Sequence, residues 1–236
     1  MSAPATKIDR SALYTPIAIV IAGALVGGAL YMSLSPKTGG QQGGDAGGAK
    51  AAVNVKDVKT DGEPFVGKAN APLTMAYWSD YQCPFCKQFE TTVLPTLMQK
   101  YVDTGKLKIV FKDFAFLGPD STTAALYKHA VWDLYPDKFF AWNEAMYKAQ
   151  DQEHGGFGDE ASILKLIATI PGLNASKLKA QVAAKKTEYE SAITASQAEG
   201  GRFGIGGTPG FIVGTRSIDG AQPLQAFTAA IDPQLK

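Results

Sequence analysis

The stretch YWSDYQCPFCKQFE, residues 77–90, holds the only two cysteines of the chain. Cys83 and Cys86 are separated by Pro84 and Phe85. An apolar, aromatic run precedes them (PLTMAYWSDY, 72–81) and predicts a buried strand. The segment after them, 87–101, carries Phe89, Val93, Leu97 and Tyr101 at helical spacing, with Pro95 expected to kink the helix. The pair therefore falls where a strand ends and a helix begins. Pro84 suits the first helical turn, because it has no N–H to lose there. Cys83 is then at the helix N-terminus, where unpaired N–H groups and the macrodipole favour an anion, so its thiol pKa is expected to fall. Cys86, one turn further on, is expected to be more buried and to keep a higher pKa. That asymmetry suits disulfide exchange, with Cys83 attacking and Cys86 resolving. A static disulfide is the plainer alternative, but so small a loop gains little chain entropy from being closed.

The remaining sequence bounds the reading. A 236-residue chain with net charge +1 and no Lys/Arg run gives no sign of a nucleic-acid binder. Two cysteines make neither a disulfide scaffold nor, alone, a structural zinc site, so no metal is expected. Between Ser11 and Pro36 there is no charged residue, and the run IAIVIAGALVGGALYMSL is long enough, with its flanks, to span a bilayer. Residues 1–11 are expected to be a short cytoplasmic tail and 12–35 a transmembrane anchor flanked by Tyr14 and Tyr31. A cleaved signal peptide is the alternative. The Gly-rich segment 36–52 reads as a flexible tether. Residues 53–236 make one domain, placed outside the cytoplasm.

Within that domain a second strand is expected over 106–114 and helices from about 120 to 200, capped at Asn174 and ended by Gly200-Gly201. Two strands, 210–214 and 216–220, then form a tight hairpin, followed by a helix over 223–231. The order gives an α/β sheet with helices on its faces. Thr208-Pro209 precedes the first hairpin strand. Locally, an ordinary turn and a cis peptide are both open there.

Together these stretches resemble the thioredoxin superfamily, and within it the DsbA-like branch. YWSDYQCPFCKQFE is similar to that branch's active-site strand and helix. GGTPGFIVGTRSIDGAQPLQAFTAAID, from Gly206, is similar to its proline loop, hairpin and terminal helix. The resemblance implies a thioredoxin fold with an inserted helical domain. It also implies Cys83 as surface nucleophile, Cys86 as resolving thiol, a cis Pro209 beside the disulfide, and Thr208 pairing its backbone with substrate peptide. The implied protein is a membrane-anchored thiol-disulfide oxidoreductase acting on exported, unfolded or thiol-containing proteins and recycled by a DsbB-like, quinone-linked membrane partner. It needs no cofactor, because the dithiol is the redox centre. Where the best-known oxidases carry histidine between the cysteines, Phe85 stands here. The Cys83 thiolate is then expected to rest on the helix N-terminus and the neighbourhood of Pro84 alone, giving a less oxidising couple. Each 1.4 kcal/mol lost from the thiolate moves a two-electron couple by about 30 mV. A reductase or isomerase of the same fold, or a tethered non-enzymatic chaperone, are the alternatives. Phe85 is also a candidate apolar contact for substrate. Asp80 and Glu90 are candidates for moving protons to Cys86, while Trp78 and Tyr81 are candidates for packing beside the pair. Lys87, His129 and His154 read as ordinary solvated or structural side chains.

Overall fold

The computed structural model describes residues 53–152 and 155–235. The expected tail, anchor and tether, and His154, lie outside the described residues. Among the described residues no helix is long and apolar enough to cross a membrane.

Five strands form one sheet: β1 (Phe65–Val66), β2 (Leu73–Ser79), β3 (Leu107–Asp113), β4 (Gly210–Val213) and β5 (Arg216–Asp219). Their spatial order is β1-β3-β2-β4-β5. Only β2 and β3 run parallel, joined by the crossover that contains α1 (Pro84–Thr92) and α2 (Leu94–Leu97). The register puts Tyr77 opposite both Phe111 and Phe211, so three aromatic rings cross the sheet in one row. Tyr77 stacks on Phe211 at 4.9 Å and meets Phe89 of α1 at 5.0 Å. Strand alternation sends Met75, Tyr77, Ile109 and Phe211 into the larger core. It sends Ala76, Trp78 and Ile212 to the other face, against Val55, Phe114 and Ile205.

Between β3 and β4 lie α3 (Pro119–Leu134), α4 (Phe139–Ala149), α5 (Glu160–Ile167) and α6 (Ala175–Arg202). Asn174 caps α6 by accepting from Lys177 N at 2.9 Å. The helix departs from helical geometry at Lys185 and then runs through Gly200-Gly201 instead of stopping there. Gly200 is a contact residue rather than a terminator. A Cβ there would lie 3.0 Å from Trp78 Nε1 and 3.3 Å from Phe114, so a larger residue would push these rings back by a few tenths of an ångström where α6 meets the sheet. The final helix is α7 (Leu224–Ile231).

Two expectations need correcting locally. The helix after the cysteines begins at Pro84 and breaks at Val93, ahead of Pro95, which sits in the first turn of α2 where its missing N–H costs nothing. The edge strand β1 is too short to leave a periodic signal, and the sequence reading omitted it. The hairpin has a two-residue turn, Gly214-Thr215, with Gly214 at φ +57.

Candidate active site

The turn that ends β2 delivers Cys83 to the N-cap of α1, in extended geometry (φ −77, ψ 119) and with no side-chain cap. The first-turn N–H groups are left to the sulfur. Cys83 and Cys86 are both unbonded thiols. Cys83 is held down at about pKa 6, first by the Cys86 thiol, with help from Thr208 and the backbone N–H groups of Cys86 and Phe85. The Cys86 thiol is pushed well above its ordinary range, chiefly by burial. The second thiol is therefore the largest support of the first. The helix N-terminus and the neighbourhood of Pro84, expected to be its sole supports, leave out this thiol. Cys83 is also only 4% exposed, more covered than the resemblance implies, and in its protonated form its Sγ donates to Thr208 O at 3.3 Å. The Thr208–Pro209 peptide bond is cis.

The other singled-out residues separate. Phe85, 61% exposed, stands on the surface over the pair, and Pro84 is exposed beside it. Phe116, in the loop after β3, is a second exposed aromatic, at 48%. Asp80 is buried, and its carboxylate accepts from Gln82 N, Phe116 N and Leu117 N at 2.8, 3.0 and 3.1 Å. It ties the cysteine turn to the entrance of the helical insertion, and it is its backbone N–H that bonds to Cys86. Tyr81 packs in the same core as both cysteines, with its ring 4.9 Å from Tyr147, and its hydroxyl donates to Asn143 at 2.8 Å. Trp78 belongs to the opposite face, where its Nε1 donates to Ser196 O at 3.0 Å. His129 is far from this chemistry, bonded to Asp113 and stacked on Tyr189.

Behind Cys86 lies a polar floor that the sequence reading mostly missed. Glu90, one turn along α1, is buried and accepts from Asn143 Nδ2 at 3.1 Å, and burial pushes its carboxyl up to about 8. Tyr77, Tyr81 and Tyr147 are all raised by burial and, after it, by both Cys86 and Glu90. A signal existed in the pattern. Glu90 shares the apolar stripe of Cys86, Phe89 and Val93, and Asn143 shares that of Phe139, Trp142, Met146 and Tyr147. Gln150, the residue just past α4, left no such signal. Its Nε2 donates to Tyr81 O at 2.6 Å and to Cys83 O at 3.1 Å. Gln82 Nε2 donates to Phe157 O at 2.8 Å, and a Cβ at Gly158 would collide with it. Among the described residues no group of His, Cys, Asp and Glu side chains is placed to hold a metal.

A dithiol whose first sulfur is a thiolate at neutral pH and whose second is a covered thiol is suited to exchange with another protein's disulfide or thiols. Comparison with known proteins agrees. The family model described as thioredoxin matches residues 59–233. The disulfide bond formation protein D of Bacillus subtilis is 25% identical over 196 residues, covering 83% of this chain and 84% of that protein. The oxidised crystal structure of BdbD from Bacillus subtilis superposes with a TM-score of 0.69 over 78% of this chain and 98% of its own, at 25% identity. The thiol-disulfide exchange protein α-DsbA2 of Wolbachia pipientis superposes with a TM-score of 0.64 over 76% of this chain and 89% of its own, at 26% identity. The chain belongs to the thioredoxin family, as a DsbA-like thiol-disulfide oxidoreductase.

Proposed function

We propose that this oxidoreductase works in the oxidising direction, introducing disulfides into exported proteins from a position anchored outside the cytoplasmic membrane by residues 12–35. One observation carries the direction: Cys83 is held at about 6 while Cys86 is raised. A stabilised Cys83 thiolate favours the reduced form, so the Cys83–Cys86 disulfide is a good electron acceptor. The relatives named for disulfide bond formation support the same direction.

In this reading a substrate thiolate attacks Cys83 Sγ, the Cys83–Cys86 bond breaks, and Cys86 leaves. Burial disfavours a thiolate there, so Cys86 takes up a proton. Glu90, four residues along the helix and protonated at neutral pH, is the buried acid suited to supply it. A second substrate thiolate then attacks the substrate sulfur of the mixed disulfide, and Cys83 departs as the stabilised thiolate. Two substrate thiols become one disulfide, and the protein's disulfide becomes a dithiol. Thr208 and Pro209 line the pair and offer backbone to an extended peptide, while Phe85 and Phe116 offer apolar contact to unfolded chains. A quinone-linked membrane protein of the DsbB-like kind re-oxidises the dithiol, and the 36–52 tether keeps the domain at high effective concentration near it.

Equilibrating the full chain in detergent against glutathione buffers tests the direction. The expected potential lies nearer −120 mV, the strongly oxidising end of the family scale, than −270 mV. A value at or below about −270 mV overturns the oxidising assignment in favour of a reductase.

A further inference from the structure

The N-cap residue of a helix is only half fixed by it, and the position of its side chain depends on the turn before it. Cys83 has that dependence in acute form. Its sulfur reaches the N–H groups of Phe85 and Cys86 only while its backbone stays at the observed angles. The Cys83 carbonyl already accepts the first helical bond, from Lys87 N at 3.2 Å. Its second lone pair accepts from Gln150, and the same amide nitrogen bonds the carbonyl of Tyr81, two residues upstream. One side chain thus holds both carbonyls that bracket Gln82.

Gln150 is itself held from both sides. Its N–H donates to Met146 O at 2.9 Å at the C-terminus of α4, and its carbonyl accepts from the Lys87 ammonium. The negative pole of α4 therefore meets the positive pole of α1, with the Lys87 cation seated between them. Gln150 is 3% exposed, and its Oε1 is buried with no hydrogen-bond partner among the described residues. A buried polar atom without a partner is destabilising, so this glutamine is a poor choice for stability alone. What it does supply is a pair of donors aimed at the cysteine turn.

We infer that Gln150 is a positioning residue through which the helical insertion sets the reactivity of Cys83. The inference rests on the reading of Cys83 as the reactive thiol. Gln150 holds the turn so that the sulfur stays on the N–H groups of α1, and its donors offset two carbonyl oxygens that would otherwise repel a thiolate.

The test is a pH titration of thiolate absorbance in the reduced full chain, for Gln150→Met and Gln150→Asn, beside the wild type. Methionine keeps length and volume without donors. Asparagine keeps the amide but falls one methylene short. Gln234→Met serves as the control, because Gln234 also bridges two carbonyls, Val213 O and Ala230 O at 3.0 and 2.7 Å, at a place apart from the cysteines. The expected result is a transition moved up by about one unit in both Gln150 variants, cutting the thiolate fraction at pH 6 about fivefold. Gln234→Met lowers the melting temperature but leaves the transition near 6. Unshifted transitions in folded Gln150 variants, or an equal shift in Gln234→Met, overturn the inference. Cys83→Ser separates the underlying reading: if the transition near 6 survives that change, Cys83 is not the low-pKa thiol, whatever Gln150 does.

Discussion

Two carboxyls are buried to a similar depth in this fold and end at opposite extremes. Glu90, on α1, is raised to about 8, whereas Asp113, at the end of β3, is held at about 2. Burial pushes both upward. Asp113 more than offsets it with the Lys128 ammonium, Nζ at 2.6 Å, and a hydrogen bond with His129 Nε2 at 2.8 Å. Glu90 accepts only from the neutral amide of Asn143, at 3.1 Å, and the charge that acts on it is the like charge of Glu144. Depth of burial therefore does not assign a role. The absence of a cation is what leaves Glu90 holding a proton beside Cys86, and the presence of Lys128 makes Asp113 a structural anchor.

The largest expected effect breaks the paired centre. Asp113→Asn leaves Lys128 buried without its counter-charge and is expected to cost about 3–5 kcal/mol in urea unfolding at pH 7. Glu90→Gln is expected to act in the opposite direction. It removes a group that must stay neutral and should stabilise the fold by about 1–3 kcal/mol at pH 7, while slowing disulfide transfer to a dithiol peptide.

The same pair diverges with pH. Asp113 is lowered from 3.8 to about 2, so its contribution is present above about pH 4 and is lost as pH falls toward 2. Glu90 is raised from 4.5 to about 8. The unfolded chain sheds this proton first, so the penalty is absent below pH 4.5, grows as pH rises and levels off above 8. Denaturation of wild type and Glu90→Gln across that window should give curves that separate steadily with pH. Parallel curves would falsify the assignment of a raised Glu90. The smallest effect on the chemistry is expected from Trp78→Phe, which removes the hydrogen bond to Ser196 O and part of a fully buried ring near the paired centre. A loss of about 2 kcal/mol in the same assay, with no change in the thiol titration, places that side chain outside the chemistry.

The active-site strand and helix, the β4–β5 hairpin and the terminal helix were legible because each carries a local signal: an apolar run, a helical spacing, a glycine turn. The N-cap position of Cys83 was legible for the same reason, since Pro84 marks a first helical turn. What escaped depended on contacts distant in sequence. Gln150 meets the cysteine turn across more than sixty residues, and its neighbours in the sequence give no hint of it. The sequence shows only that Asp80 flanks the cysteine pair, which makes it a candidate proton carrier to Cys86, whereas in the fold its carboxylate is occupied by N–H groups from a loop beyond β3. Trp78 shows the limit of adjacency. It lies between Tyr77 and the cysteine turn in sequence, yet strand alternation turns it to the other face.

The contact of Gly200 with Phe114 has a consequence for how this fold tolerates change. The chain leaves the sheet near Phe114 for the insertion and comes back beside it at Gly200, so the entire helical lobe is a loop closed at its base. Closing a flexible loop depends only logarithmically on its length, at about 0.6 kcal/mol per doubling. Length changes are therefore cheap only in the exposed connections of the lobe, because its helices share one core with the sheet. Its variation is constrained by that core, by the close approach at Gly200, and by the few residues that reach back to the cysteines.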